Sequence, residues 1–275
     1  MNYSELQLHL SPDFTDILTA ELGELGFESF VETDEGLNAY IIEPDFDEKA
    51  IQELIAKYAS QTAIAYQVNS LEKRNWNAEW ERNYEPIEVV DKVRVRASFH
   101  ELDARFRYDI VINPKMSFGT GHHETTAMML EQQLGLDFAG TTVLDVGSGT
   151  GILAILAAKM GAKKVLAFDI EEWAVENAWE NVELNDCPQI TVFQGTIDDV
   201  DPNDLYDIVL ANINRNVLLV DIPNYTKLLN EKGYLLVSGF YEHDAPDIQQ
   251  KATEAGLTFV RDMINKEWTS LLFQK

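Results

Sequence analysis

The stretch Val143-Leu144-Asp145-Val146-Gly147-Ser148-Gly149-Thr150-Gly151, followed by the Ala- and Leu-rich residues 152–158, decides the fold. A short apolar run reaches an acidic residue, passes through three alternate glycines and opens into a helical segment. This order predicts a buried strand, a tight turn and a helix start at the edge of a parallel sheet. Because glycine tolerates positive φ and has no Cβ, such a turn lets a ligand lie against bare backbone.

A second acidic residue indicates which kind of ligand this site would bind. The next apolar run, residues 165–168, ends in Asp169, where the tip of a neighbouring strand can present a carboxylate to two ribose hydroxyls. Ile152 stands where a dinucleotide fingerprint has its third glycine, so the pattern indicates a nucleoside without a pyrophosphate. S-adenosylmethionine therefore fits better than NAD, because its sulfonium and ammonium charges suit a site near Asp145 and Asp169. An ordinary strand-turn-helix without a ligand is the alternative, which the pairing of the glycines with Asp169 disfavours.

Composition limits the partners. The chain has 275 residues, 45% of them hydrophobic, which is enough for one full core and is expected to give two domains. Its net charge of −26 repels phosphate backbones, so direct nucleic-acid binding is disfavoured and a basic partner is favoured. Solubility alone is the alternative explanation of this charge.

The remaining composition predicts a cytoplasmic protein without a metal. Cys187 is the single cysteine, which excludes an internal disulfide and suggests a reducing compartment. No apolar run reaches the length of a membrane span, and the first residues do not resemble a signal peptide. Only His122 and His123 among the histidines are adjacent, and no cluster has metal-ligand spacing.

Residues 1–69 predict a ferredoxin-like α+β domain of order β-α-β-β-α-β. Ser11 and Pro12 are predicted to cap a first helix that stops at Gly26, a hairpin is expected around residues 33–36, and residues 47–58 have a second helical period. Because this segment contains no catalytic constellation, we expect it to serve in substrate recognition.

Residues 70–86 predict a helical linker that ends at Pro86, with Trp76, Trp80 and Tyr84 forming one stripe that indicates a packing seam. Residues 87–275 predict an α/β domain with a doubly wound, seven-stranded, Rossmann-like sheet. This domain is expected to begin with strands at 89–97 and 106–112, and to close with an antiparallel hairpin at one edge. That closing pattern is typical of the S-adenosylmethionine-dependent methyltransferase fold.

Two further segments are candidate parts of the site. Asn212 follows strand 207–210 on the side of the glycine motif, where its amide oxygen could accept from an amine and its NH₂ could donate to a ligand. The alternative is an Asn that caps the following helix. In loop 113–126, Thr125 or Thr126 is predicted to cap a helix that begins at Ala127, and free N–H groups there could hold a carboxylate. A plain surface loop is the alternative, and the adjacent histidines are interpreted as mainly structural.

Together these segments resemble a known family. Phe118-Gly119-Thr120-Gly121-His122-His123-Glu124-Thr125-Thr126, the motif from Asp145 to Gly151, Asp169 and Ala211-Asn212-Ile213 are similar to the ribosomal protein L11 methyltransferases, the PrmA type. The resemblance covers the full length, and the linker Trp76-x-x-x-Trp80 with Pro86 is similar too.

The resemblance implies a function and assigns residues to it. S-adenosylmethionine is expected to bind through Thr126, Gly147, Asp169 and Asn212, and Phe118 and Thr120 belong to the loop expected to cover its methionine end. Asp145, Gly149 and Gly151 complete the predicted cofactor site. The implied reaction is methylation of lysine side-chain amines and of the N-terminal amine of one large-subunit ribosomal protein. Asn212 is the predicted catalytic residue, which orients the amine.

Two departures from the family pattern stand out. Glu124 occupies a position where the family often has proline, and this difference affects the shape expected for the loop. The sequence Ala211-Asn212-Ile213-Asn214 is not the N-P-P-Y of glutamine and adenine methyltransferases, which argues against amide or nucleobase substrates. An acidic enzyme is further expected to prefer the free basic ribosomal protein over the same protein on ribosomal RNA.

Two other functions use the same cofactor motif. A small-molecule amine methyltransferase would leave the N-terminal domain without a role, and deletion of residues 1–69 would then spare its activity. A non-catalytic module that senses S-adenosylmethionine would bind the cofactor without ever producing S-adenosylhomocysteine.

Overall fold

The computed structural model describes residues 2–33, 35–71, 85–113 and 123–275. The chain divides into two compact units, residues 1–83 and 84–275. The predicted linker stripe of Trp76, Trp80 and Tyr84 lies outside the described residues, as do Phe118 and Thr120 of the predicted cofactor loop.

The N-terminal unit is a four-stranded antiparallel sheet with two helices. Its elements are β1 (Tyr3–His9), α1 (Thr15–Glu24), β2 (Ser29–Thr33), β3 (Gly36–Ile42), α2 (Glu48–Tyr58) and β4 (Ala65–Leu71). The strands lie in the order β2-β3-β1-β4. This is the predicted β-α-β-β-α-β order, in which side chains alternate between a buried face, with Leu6 and Leu8, and an open face.

Local signals set the helix ends in this unit. Asp47 caps α2, because its carboxylate accepts from the backbone N–H groups of Lys49 and Ala50. Gly26, with φ of +92°, takes the left-handed conformation that follows α1, as predicted. The prediction for Ser11 was wrong in one respect: its side chain makes no capping bond, because Pro12 starts a 3₁₀ turn that leads into α1.

The second unit begins with a small sheet of three strands, β5 (Ile87–Val89), β6 (Val93–Arg96) and β7 (Tyr108–Val111). The predicted continuous strand over 89–97 was wrong. Val90 and Asp91 have φ of 49° and 52°, so the chain turns there and β5 pairs antiparallel with β6. Alternating apolar residues cannot reveal such a turn, since valine disfavours positive φ.

The main sheet has seven strands with helices between them. The strands are β8 (Thr142–Val146), β9 (Lys164–Asp169), β10 (Ile190–Gln194), β11 (Tyr206–Asn212), β12 (Leu229–Tyr241), β13 (Thr258–Asn265) and β14 (Trp268–Gln274). The helices are α3 (Glu124–Gln133), α4 (Ile152–Lys159), α5 (Glu172–Leu184), α6 (Arg215–Leu228) and α7 (Ala245–Glu254). The order is β10-β9-β8-β11-β12-β14-β13, and among these strands β14 alone runs in the direction opposite to the others. The predicted seven-stranded sheet with an antiparallel edge hairpin is confirmed.

Both faces of this sheet are covered. Along β8, Val143 belongs to a core with α4, whereas Leu144 and Val146 belong to a second core with α6. The strand order reverses at β8, so that β9 lies on one side of it and β11 on the other. Open α/β sheets bind ligands at the carboxyl ends of the strands at such a reversal. In the part of the chain that the structure describes, no helix is both long and apolar enough to span a membrane.

Candidate active site

The turn between β8 and α4 has the predicted bare backbone. Gly147, Gly149 and Gly151 all have positive φ, at +65°, +52° and +77°. A Cβ at Gly147 would stand 2.4 Å from Cγ2 of Ile213, which follows the end of β11. The turn therefore requires glycine at this position both for its conformation and for its close approach to the neighbouring strand.

Asp169, at the carboxyl end of β9, is tied to the same turn. Its Oδ2 accepts a hydrogen bond of 2.9 Å from the backbone N–H of Gly149, and its Oδ1 accepts one of 3.2 Å from Glu171. Each carboxylate oxygen has capacity for a further donor. Asp169 is thus held in a fixed orientation and can still accept from ribose hydroxyls.

Asp145 lies behind the turn and is 1% exposed. Its Oδ2 accepts from the backbone N–H of Ala154, while Oδ1 has no partner among the described residues. Burial raises the pKa of this carboxyl to about 7; the Ala154 N–H opposes the rise and the charge of Asp169 adds to it. The predicted cofactor residue Asp145 is therefore a buried group close to the site.

Asn212, the last residue of β11, meets Thr126 from the first turn of α3. Its Nδ2 donates to Thr126 Oγ1 at 3.4 Å, and its buried Oδ1 finds no hydrogen-bond partner within the described ranges. Asn212 does not cap the helix that follows, which was the alternative role. Asn214 is the cap of α6, because its Oδ1 accepts from the N–H of Val217. The amide of Asn212 is therefore oriented by a neighbour and its oxygen is available to a ligand.

The start of α3 differs from the prediction. The helix begins at Glu124, before Ala127, and its cap is His123, whose Nδ1 accepts from the N–H of Thr125 at 3.3 Å. Thr125 and Thr126 lie buried in the first turn. The prediction that one of these threonines caps the helix was wrong, because the His123 ring takes that role and also packs against Trp268.

A cavity of about 640 Å³ lies at the carboxyl ends of β8, β9, β11 and β12. Its lining residues are His123, Thr125, Val146, Gly147, Gly149, Phe168, Asp169, Ile170, Trp173, Ala174, Thr196, Ile197, Asn212, Ile213, Asn214, Val217, Asp221, Gly239 and Trp268. Four of the predicted residues meet here: Gly147, Gly149, Asp169 and Asn212. Thr126, Asp145 and Gly151 stand behind the lining, where Thr126 holds Asn212 and Gly151 caps α4.

Sequence reasoning missed most of the apolar wall. Ile170 and Trp173 lie one and four residues after Asp169 and are 64% and 49% exposed, which is unusual for large apolar side chains beside a strand end. Their position after the acidic residue was the available signal. Trp268 gave no such signal, because it lies far along the chain, at the start of β14.

The charge of the lining suits a cation. Asp169 and Asp221 contribute carboxylates, and no Lys or Arg is among the lining residues that the structure describes. Burial raises the pKa of Asp221, and the nearby charge of Asp198 adds to the rise. No group of side chains able to hold a metal occurs among the described residues.

These features fit S-adenosylmethionine. The glycine turn would let the cofactor lie directly against the main chain, and Asp169 would accept hydrogen bonds from its ribose. The apolar side chains of Ile170 and Trp173 would face its adenine. Asn212 would add a buried amide oxygen without a hydrogen-bond partner among the described residues. Fold and site together define an S-adenosylmethionine-dependent methyltransferase.

A family profile described as "Ribosomal protein L11 methyltransferase (PrmA)" matches residues 15–275, and the chain belongs to that family. A ribosomal protein L11 methyltransferase from Phocaeicola vulgatus is 41% identical over 99% of both chains. One from Chlorobaculum tepidum is 36% identical over 99% of this chain and 96% of its own. The crystal structure of ribosomal protein L11 methylase from Lactobacillus delbrueckii subsp. bulgaricus is similar, with a TM-score of 0.64 and 30% identity, and covers 69% of this chain and 97% of that chain.

Proposed function

We propose that this enzyme transfers methyl groups from S-adenosylmethionine to lysine side-chain amines and to the N-terminal amine of ribosomal protein L11, in the cytoplasm and before that protein joins the ribosome. The relatives named above are methyltransferases of that ribosomal protein. The observation that carries the acceptor chemistry is the buried, unpartnered Oδ1 of Asn212 beside the glycine turn and Asp169.

S-adenosylmethionine supplies, when bound, an electrophilic methyl group on its positive sulfur. The chain's own contribution is to hold the two reactants. Thr126 Oγ1 accepts from Asn212 Nδ2, so the Asn212 oxygen is left to accept an N–H from the incoming amine. Such positioning can remove on the order of 7–11 kcal/mol from the barrier of a two-reactant step.

The acceptor amine must reach the site without its extra proton. Lysine has a reference pKa of about 10.4, and transfer into a poorly solvated cavity lowers the pKa of an amine. The apolar side chains of Val146, Phe168 and Ile213 contribute to such a surrounding. Desolvation and orientation by Asn212 carry this task in our proposal.

The N-terminal unit is proposed to recognise the ribosomal protein. Within residues 1–71, Lys49 and Lys57 are the only lysines and arginine is absent, whereas acidic residues occur throughout. Both lysines are already paired, Lys49 with Glu53 at 3.7 Å and Lys57 with Glu21 at 2.6 Å. The surface is therefore strongly negative, which favours encounter with a basic protein.

Mass spectrometry of purified, free ribosomal proteins after incubation with enzyme and cofactor tests the proposal. Methyl groups on lysine and N-terminal amines of L11 are expected. Methylation of a small amine with no change in any ribosomal protein would instead favour the small-molecule enzyme. Cofactor binding without any S-adenosylhomocysteine would favour the sensing module.

A further inference from the structure

Asp221 is the second carboxylate of the cavity, and it comes from a different element than Asp169. Asn214, Val217 and Asp221 line the cavity at spacings of three and four residues, which puts them on one side of α6. With a rise of 1.5 Å per residue, Asp221 lies about 6 Å farther along the helix axis than Val217. A negative group thus faces the cavity one turn beyond the start of this helix.

No basic side chain of the described residues forms an ion pair with Asp221. The two basic residues of α6 have other partners. Arg215 is paired with Asp244, at 3.0 Å, and with Asp247, whereas Lys227 donates to the side chain three residues before it. The carboxylate of Asp221 is therefore available to a hydrogen-bond donor that enters the cavity.

The strand order indicates which part of the cofactor comes near Asp221. β9, which ends in the proposed ribose ligand Asp169, lies between β8 and β10, and β11 with Asn212 lies beyond β8. Because the methyl group is directed to Asn212 in our proposal, the adenine on the other side of the ribose lies towards the end of β10. Thr196, which follows β10, lines this part of the cavity. Besides burial, the charge of Asp198 contributes to the raised pKa of Asp221, so α6 brings Asp221 close to the same segment.

This end of the cavity combines apolar surface with one available acceptor. Ile197 and Val217 contribute apolar side chains from two different segments. The hydroxyl of Thr196 is already engaged, since it donates to Asp199 at 3.1 Å and accepts from the N–H of Asp198. The carboxylate of Asp221 therefore remains to meet the polar edge of the base.

Adenine offers a carboxylate a single kind of donor. Its ring nitrogens are acceptors, and only the amino group at position 6 carries hydrogens for a hydrogen bond. An ionised carboxylate accepts hydrogen bonds and donates none. A carboxylate at this edge of the base therefore selects for the amino group.

We propose that Asp221 accepts a hydrogen bond from the 6-amino group of the adenine and so makes the cofactor site selective for adenine. A purine without this group would leave the carboxylate desolvated and without its donor, which disfavours binding. The inference concerns the cofactor alone and does not depend on which amine receives the methyl group.

Calorimetry with two ligands that cannot transfer a methyl group measures this contact. The first is S-adenosylhomocysteine, and the second is its 6-deamino analogue, in which hydrogen replaces the amino group. The wild type should bind the first about ten- to a hundredfold more tightly, as expected for a hydrogen bond to a charged group. Asp221→Ala should bind the two ligands about equally. Asp221→Asn, which keeps an acceptor oxygen without the charge, should retain a preference of only about three- to tenfold.

Asp198→Ala is the matched control. It removes an acidic charge near the same end of the cavity, but Asp198 is exposed and does not line the cavity. Its preference for S-adenosylhomocysteine should equal that of the wild type. The change in preference that is specific to Asp221 then closes a double-mutant cycle between this side chain and the amino group. Thermal melting verifies that each variant is folded.

The outcomes separate this proposal from the proposed function. Equal binding of the two ligands by the wild type, or the same preference in the wild type and both Asp221 variants, would overturn the role of Asp221. A preference that depends on Asp221 in an enzyme that methylates no ribosomal protein would support this role and refute the substrate assignment.

Discussion

Gly149 donates its backbone N–H to Oδ2 of Asp169 at 2.9 Å, so the turn after β8 is fastened to the end of β9. The glycine turn and the carboxylate that we propose to hold the ribose are thereby one structure. A substitution at either residue is therefore expected to alter the position of the other.

Asp169→Ala removes the acceptor of this bond and the predicted ribose contact together. We expect cofactor affinity to fall by about ten- to a hundredfold, the usual value of a hydrogen bond to a charged group. Asp169→Asn should lose less, since its remaining oxygen can still accept from Gly149. Glu171→Gln, an exposed acid two residues further on, is the control and should leave the Kd measured by calorimetry unchanged.

Gly147→Ala should remove cofactor binding. Both Gly147 and Gly140 have positive φ, +65° and +74°, so alanine costs roughly 1–2 kcal/mol of backbone strain at either position. Only at Gly147 does the new Cβ meet a neighbour, Ile213, whereas Gly140 faces open space. Gly140→Ala should therefore lower the melting temperature but keep the Kd. Ile213→Ala should partly restore binding in the Gly147→Ala background; equal Kd values for the two single variants would contradict the steric argument.

Asn212→Ala should lower turnover on the order of a hundredfold, the effect of losing alignment between reactants, while cofactor binding weakens much less. Asn216→Ala provides the control, because Asn216 is exposed on α6 and lies outside the cavity. The rate of methyl transfer to free ribosomal protein and the calorimetric Kd are both needed. Unchanged turnover in Asn212→Ala would remove this residue from the mechanism.

The pKa of Asp145 predicts an unusual pH dependence of stability. Between its ordinary value of 3.8 and its folded value of about 7, the folded protein holds a proton that the unfolded chain has released. The free energy of unfolding should therefore fall as pH rises through this window, on the order of 1 kcal/mol per pH unit, and level off above it.

Urea unfolding at several pH values, without cofactor, compares wild type with Asp145→Asn. The free energy of unfolding of Asp145→Asn should lack the pH dependence that Asp145 contributes. The difference in this free energy between the two proteins should therefore change with pH. Asp262→Asn, on the exposed edge strand β13, is the carboxyl-to-amide control. Parallel curves for wild type and Asp145→Asn would show that Asp145 does not titrate in this range.

The net charge of −26 predicts a preference among forms of the substrate. Free basic ribosomal protein should be methylated faster than the same protein in assembled subunits, because ribosomal RNA repels the enzyme. Raising the salt concentration should slow the reaction of the free protein by screening the attraction. Initial rates on both forms at two ionic strengths test this, and faster methylation of intact subunits would disprove it.

Local patterns explain why much of this structure was predictable. Buried strands of a parallel sheet are continuous apolar runs, so β8, β9 and β11 could be predicted from the sequence. The residues at or just after their carboxyl ends form much of the candidate site. The turn at Val90 and Asp91 was missed because the β-branched side chain of Val90 disfavours the positive φ that the turn requires.

Contacts between distant segments were not predictable. Asn212 meets Thr126 across 86 positions of the chain, and Tyr241 pairs with Trp268 only through the β12–β14 register. Nothing in either sequence segment specifies its partner, because such contacts arise from strand order and a bulge. The cap at His123 was missed for a different reason, since histidine is a less common cap than the threonines that follow it.

Gly239 sets a limit on how this enzyme can change its substrate. Any Cβ there would stand 2.3 Å from the carbonyl oxygen of Ile213, whose N–H donates to Ser238. The main chain of β12 beside the cavity is therefore held in place by its contact with the segment that follows β11. Laboratory evolution towards new acceptors has to proceed by exchanging side chains around an invariant frame, and a mutational scan should find Gly239 as intolerant as any residue that touches a ligand.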